Sequence, residues 1–264
     1  MTTRTRRRSR AMTVISGICL GLFPAVVVAA LIDDRSRRPT PGAPQPVEPA
    51  FAVPEPELRP VEAHATQWAE VARRAALRRR PTRAAPRVAL MSARTPEGTA
   101  NVVQVLGRRR SDGRLWVKVR VPALPRGRAG WVPRAAIGSP KTVMTRLVVN
   151  RRRHLLRLLW RGREVFRAPV GVGAPASPTP AGVYYVRNRL TKYRSPFYGP
   201  VAFGTSARSA VLTDWPAGGF IGIHGTNRPG LIPGDVSHGC IRMRNADIRR
   251  LDRLMPIGTP VIIR

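Results

Sequence analysis

Near the carboxyl end the chain reads Ser237-His238-Gly239-Cys240-Ile241-Arg242, and fourteen residues before His238 stands His224 in Ile223-His224-Gly225-Thr226. Two of the four histidines thus fall within sixteen residues of Cys240, whose only fellow cysteine is Cys19. A thiol with an ordinary pKa of about 8.5 is only slightly ionised at neutral pH, so nucleophilic work needs a base or a cation beside it. Imidazole supplies either. Gly239 permits close backbone approach, so that the amides of Gly239 and Cys240 can face a developing oxyanion. The plainer alternative is a buried structural cysteine beside a satisfied core histidine. A zinc site built from His224, His238 and Cys240 is a further alternative, though no metal is expected. The other two histidines, His64 and His154, lack such neighbours and read as surface or structural.

These side chains need elements to hold them. A strand over Phe220–Ile223 would deliver His224 at its end, and Pro229, Gly230, Pro233 and Gly234 supply a loop that folds Ser237–Cys240 back against it. Further strands are expected at Val143–Asn150, His154–Trp160, Glu164–Val170, Gly182–Arg187, Ala210–Thr213 and Gly258–Ile263. One helix is expected between Asn245 and Met255. Asn245 is placed to cap it, Ile248, Leu251 and Met255 share a face, and Pro256 and Gly258 end it. The result is a β-sandwich or barrel of roughly 120 residues carrying one short helix.

His224-Gly225-Thr226, the Pro/Gly loop and Ser237-His238-Gly239-Cys240-Ile241-Arg242-Met243 together resemble the signature of L,D-transpeptidases with a YkuD-type catalytic domain. Thr179-Pro180-Ala181-Gly182-Val183-Tyr184 is similar to that family's turn and strand, and Gly258-Thr259-Pro260-Val261 to its closing strand. In isolation the first of these is a turn entering a strand. The resemblance implies a Cys240 nucleophile attacking the carbonyl of the third residue of a peptidoglycan stem, usually a diamino acid, with loss of the terminal D-alanine. A side-chain amine of a neighbouring stem then resolves the acyl-enzyme as a 3→3 crosslink. Carried over by position, His224 is the general base, oriented by a backbone carbonyl such as that of Gly225, and His238 lines the site. Ser237 is a supporting hydrogen-bond group, Gly239 with Cys240 forms the oxyanion donors, and Gly225 and Thr226 flank the substrate. Many family members carry Asn two residues after the cysteine. Arg242 stands there instead, a bidentate partner for a substrate carboxylate. Water as acceptor would give an L,D-carboxypeptidase, and a decayed domain a non-catalytic wall-binding protein, against which the intact Cys240, His224 and His238 argue.

The rest of the chain reads as the means of delivering this domain. Residues 1–10 hold five arginines, and the uncharged stretch 11–32 would span about 33 Å as a helix, enough for a bilayer core of about 30 Å. It is expected to be a transmembrane anchor or a cleaved signal, with a modest charge bias toward N-in, C-out. The catalytic domain then lies on the cell-wall side of the membrane, or is secreted if cleavage occurs. Residues 33–86 form a Pro/Arg-rich linker with eight prolines between 39 and 60, and within it Val61–Arg80 has the spacing of a short amphipathic helix. Residues 87–140 show short strands, among them Leu115–Val121 with apolar odd positions, and resemble the SH3-like modules of cell-wall proteins. The catalytic domain occupies residues 141–264.

The chain of 264 residues carries 47 Lys+Arg against 14 Asp+Glu, a formal net charge of +33. Only Lys118, Lys141 and Lys192 are lysines, and the excess is spread over both halves, so it points to attraction for anionic wall polymers and not to a nucleic-acid partner. Two cysteines exclude a disulfide-stapled scaffold. The few carboxylates and the lack of a phosphate-binding Gly loop lead to the expectation of no cofactor.

Overall fold

The structure, a computed structural model, describes residues 64–122, 127–191, 195–211 and 219–264. The expected anchor at 11–32 and the proline-rich stretch at 39–60 lie outside the described residues. Among the described residues no helix is long and apolar enough to cross a membrane.

Alternation of buried and exposed side chains builds the first sheet. Its strands are β1 (Thr66–Glu70), β2 (Ala75–Arg78), β3 (Arg87–Met91), β4 (Val102–Ser111), β5 (Arg114–Val121), β6 (Arg128–Pro133) and β7 (Lys141–Val143), all antiparallel in the order β3-β2-β6-β5-β4-β1-β7. In β5 the alternation read from the sequence is present: Val117, Val119 and Val121 enter the core and Lys118 faces out. The helix expected over Val61–Arg80 is not formed over the described residues of that stretch, 64–80. The described part of that stretch supplies β1 and β2, because β1 finds backbone partners on both flanks, in β4 and β7, and long-range pairing overrides a weak local period. The sheet therefore takes in part of the stretch 33–86 expected to be linker.

The second sheet is mixed. It comprises β8 (Thr145–Asn150), β9 (Leu155–Trp160), β10 (Arg163–Pro169), β11 (Gly171–Gly173), β12 (Gly182–Leu190), β13 (Ala202–Arg208), β14 (Phe220–His224), β15 (Gly234–Ser237), β16 (Ile241–Arg242) and β17 (Pro260–Ile263). Their order is β10-β9-β8-β17-β12-β13-β14-β16-β11-β15. The expected strand at Ala210–Thr213 is absent over its described residues, Ala210 and Val211. Its place in the sheet is taken by β13, whose small residues are held between β12 and β14 by pairing on both sides. The one α-helix among the described residues, α1 (Asn245–Leu254), lies where the sequence put it and buries Ile248 and Leu251. Asn245 does not cap it. Arg244 takes that position without a capping side-chain bond, and the Asn245 side chain is used elsewhere.

Both sheets belong to one unit, Leu58–Arg264. Tyr185 of β12 is fully buried with Trp68, Val102 and Val143, and its hydroxyl lies 3.2 Å from the carbonyl oxygens of both Val102 and Arg120. The second sheet is thereby fixed to the first by a hydrogen-bonded aromatic side chain, which otherwise would be costly to bury.

Candidate active site

Two short parallel strands set the site. β14 and β16 pair with Ile223 opposite Ile241 and His224 opposite Arg242, and both isoleucines are fully buried. Side chains alternate along extended backbone, so Gly222 and His224 on β14, with Cys240 just before β16 and Arg242 on it, turn to the opposite face. Gly222 lies between the thiol and the imidazole. A Cβ at that position would stand 3.6 Å from His224 Cδ2 and 3.8 Å from Cys240 Sγ. The Gly222 amide donates to Cys240 Sγ at 3.4 Å.

His224 is 4% exposed, with its ring against Tyr198 at a centroid separation of 4.6 Å. Nδ1 lies 2.6 Å from Gly225 O, the carbonyl the sequence had pointed to. A carbonyl only accepts, so Nδ1 carries the proton and Nε2 holds the free lone pair. Burial pushes the imidazole pKa down to about 4, against an opposing contribution from the Gly225 carbonyl and with a further push from Arg242. Burial raises the Cys240 thiol, while the Gly222 amide and the Arg242 charge work the other way. The resting pair is therefore neutral thiol and neutral imidazole, not an ion pair.

A cleft of about 310 Å³ opens over these groups. His224, His238, Cys240 and Arg242 line it together with Phe197, Tyr198, Phe220 and Ile221, so four of the residues singled out in the sequence meet in one cavity. His238 is exposed at its edge. The other four stand behind the cleft. Ser237, 2% exposed, donates from Oγ to Cys240 O at 2.6 Å and accepts the Gly239 amide at 3.0 Å, which takes that amide away from the oxyanion role expected of it. Thr226 is buried too, its hydroxyl accepting the Arg228 amide. Gly225 is pressed against Asn245 and Gly199; a Cβ there would fall 2.3 Å from Asn245 Oδ1. These four residues hold the backbone around the cleft and are not among its lining.

The turn before Cys240 has φ of +111° at Gly239, a conformation that disfavours any side chain. It is braced from a distance. Thr179 Oγ1, 1% exposed, donates to Gly239 O at 2.8 Å and accepts the Gly173 amide at 2.8 Å, tying the Thr-Pro turn and β11 to the Cys240 loop. Asn245 Oδ1 accepts the Thr226 amide at 2.9 Å and so fixes the segment that orients His224. Sequence reasoning gave Thr179 a turn and Asn245 a cap. The pairing of the Thr-Pro turn with the cysteine motif as two parts of one resemblance was the available hint. Thr179→Val should orphan a buried amide and a buried carbonyl, at about 1–3 kcal/mol each. The expected result is a lower urea midpoint and slower alkylation of Cys240, read by denaturation and by timed iodoacetamide labelling.

The sequence model of the L,D-transpeptidase catalytic domain, YkuD, matches residues 144–263. The YkuD protein of Bacillus licheniformis, named as an L,D-transpeptidase, is 36% identical over 127 residues, covering 48% of this chain and 70% of that protein. Its Bacillus subtilis counterpart is 34% identical over 124 residues, covering 47% and 68%. Among solved structures, the catalytic domain of the E. faecium L,D-transpeptidase aligns with 46% of this chain and 96% of that domain at 25% identity and a TM-score of 0.35.

Proposed function

Because the chain belongs to the L,D-transpeptidase family, with its YkuD-type catalytic domain over residues 144–263, we propose that Cys240 is the nucleophile of a peptidoglycan crosslinking reaction. The observation that carries this reading is the shared face of β14 and β16, on which an oriented imidazole and a thiol flank Gly222.

As Cys240 Sγ attacks the carbonyl carbon of the third stem residue, its proton passes to His224 Nε2 and the carbonyl becomes an oxyanion. The Cys240 amide is the donor to that oxyanion, since the Gly239 amide is held by Ser237 Oγ. Collapse expels the amine of the terminal D-alanine, which takes the proton from His224, and leaves a thioester. An acceptor side-chain amine then attacks the thioester, gives its proton to His224, and Sγ departs and is reprotonated. Arg242 holds a donor carboxylate, and Phe197, Tyr198 and Phe220 receive the aliphatic parts of the stem. His238 guards the open edge. The thiol is raised and the imidazole lowered, so proton transfer accompanies attack and does not precede it.

The amino-terminal sheet serves in this proposal as the SH3-like module that holds the enzyme at the wall. The segment 11–32 carries it at the membrane, and the dispersed positive charge draws the protein to anionic polymers. The test is incubation of the full chain with disaccharide-tetrapeptides and mass analysis of the products. Crosslinked dimers short of one D-alanine are the expected result. Tripeptides without dimers would replace transpeptidation by carboxypeptidation, and unchanged substrate would leave the wall-binding reading.

A further inference from the structure

Phe220 occupies an unusual place. It lines the 310 Å³ catalytic cleft and also a second cavity of about 490 Å³, whose walls include Leu90, Met91, Thr95, Val121 and Arg187. The second cavity is thus formed by residues of both sheets, and the Phe220 ring borders both spaces. On β14 it precedes Gly222 by two residues and His224 by four, so it shares their face.

The ring is braced from behind. The Arg187 guanidinium carbon lies 3.6 Å from its centroid, with Arg208 at 5.2 Å. Arg187 is 2% exposed, and burial works against its charge. The compensating carboxylate belongs to the first sheet's long turn. Glu97 meets Arg187 Nη2 at 3.0 and 3.3 Å and also accepts from Asn188 Nδ2 at 3.2 Å. Arg187 Nε donates to Thr205 O, and Thr205 Oγ1 to Ile221 O at 2.7 Å, so the same arginine is tied to the next cleft residue as well. A buried guanidinium without its carboxylate would seek solvent or another acceptor, and the ring stacked on it would lose its support.

We propose that Phe220 is the specificity-determining wall of the cleft and that Glu97, acting through Arg187, is the positioning residue that holds it. The proposal rests on the cleft being a thiol-centred active site, but not on what is crosslinked there. The amino-terminal sheet accordingly takes part in substrate selection through one carboxylate, beyond any role as a wall-holding module. With the wall displaced, the two cavities join and bulkier groups reach Cys240.

The test compares two thiol probes, iodoacetamide and the bulkier N-phenylmaleimide, on the full chain, with labelling at Cys240 resolved from Cys19 by peptide mass. Phe220→Ala should raise the ratio of maleimide to iodoacetamide rates by roughly tenfold. Glu97→Gln should shift the ratio in the same direction, Glu97→Asp should restore it in part, and Glu97→Gln added to Phe220→Ala should add nothing. Phe220→Leu carries the test with the ion pair intact. An unchanged ratio in the Phe220 variants would overturn the wall, and a Glu97→Gln shift that adds in full to Phe220→Ala would overturn the relay. Labelling does not need turnover, so failure of the crosslinking assay leaves this result readable by itself.

Discussion

Replacement of Cys240 by alanine is expected to remove crosslinked product from the tetrapeptide assay, a loss of about 10⁴-fold or more, since Cys240 is the one thiol among the residues that line the cleft. The fold should survive. Cys240 is only partly buried, and the one bond its sulfur accepts is the long contact from the Gly222 amide. Loss of that contact is worth about 1 kcal/mol or less, so the melting temperature should barely move. Cys240→Ser is expected to be almost as inactive. A hydroxyl is far harder to deprotonate than a thiol, and an imidazole with a pKa near 4 is a weak base for it. Measured by product mass and by thermal melting, an inactive but folded alanine variant assigns the chemistry to this sulfur. Retained crosslinking by that variant would remove Cys240 from the mechanism.

How much of this was legible follows the range of the contacts involved. The cysteine motif and His224 lie on neighbouring strands joined by a short excursion, so Cys240, His224 and His238 are legible as one cluster from their spacing, while Arg242 follows from the family resemblance. The residues sequence reasoning missed act across larger separations. Thr179 reaches Gly239 across sixty positions, and Glu97 reaches Arg187 across ninety. No periodicity encodes such contacts. Ser237, Gly225 and Thr226 were placed toward the substrate because they sit in the motif, but motif glycines and hydroxyls here satisfy backbone groups and relieve close approach. Phe220 was within reach: it precedes His224 by four on a strand already drawn, and period 2 puts both on one face. In the first sheet, Leu115–Val121 shows its alternation plainly, whereas β1 finds its partners in β4 and β7, far along the chain, and β2 is a short strand in an Arg-rich stretch, paired with β3 and β6. That is why a helix was drawn where two strands form.

His224→Gln should lower kcat/KM by about 10²- to 10⁴-fold, the usual contribution of a general base, and should change the shape of the pH profile. In the native enzyme the imidazole accepts a proton only when neutral. Its pKa is about 4, so activity should rise with pH through an acid limb near 4, well below the ordinary histidine range, and then stay level toward the thiol's range. The glutamine variant has no such group. Its residual rate should climb with pH as the thiolate fraction grows, with no limb near 4, and His238→Gln should keep that limb. If instead the limb persists in His224→Gln and vanishes in His238→Gln, the two histidines exchange roles. Stability offers a second readout with a definite sign. Between pH 6.5 and about 4 the unfolded chain binds a proton at His224 that the folded chain refuses, so the folded state loses stability as pH falls through that span. A gap of about 2.5 pH units corresponds to about 3 kcal/mol of stability, fully present above pH 6.5 and lost by pH 4. Glutamine cannot charge, so urea midpoints of His224→Gln should decline less than those of the native protein over the same interval. Equal declines would mean that His224 is protonated in the folded enzyme at mildly acid pH, and the neutral-pair mechanism would then give way to a thiolate–imidazolium pair formed before substrate binds.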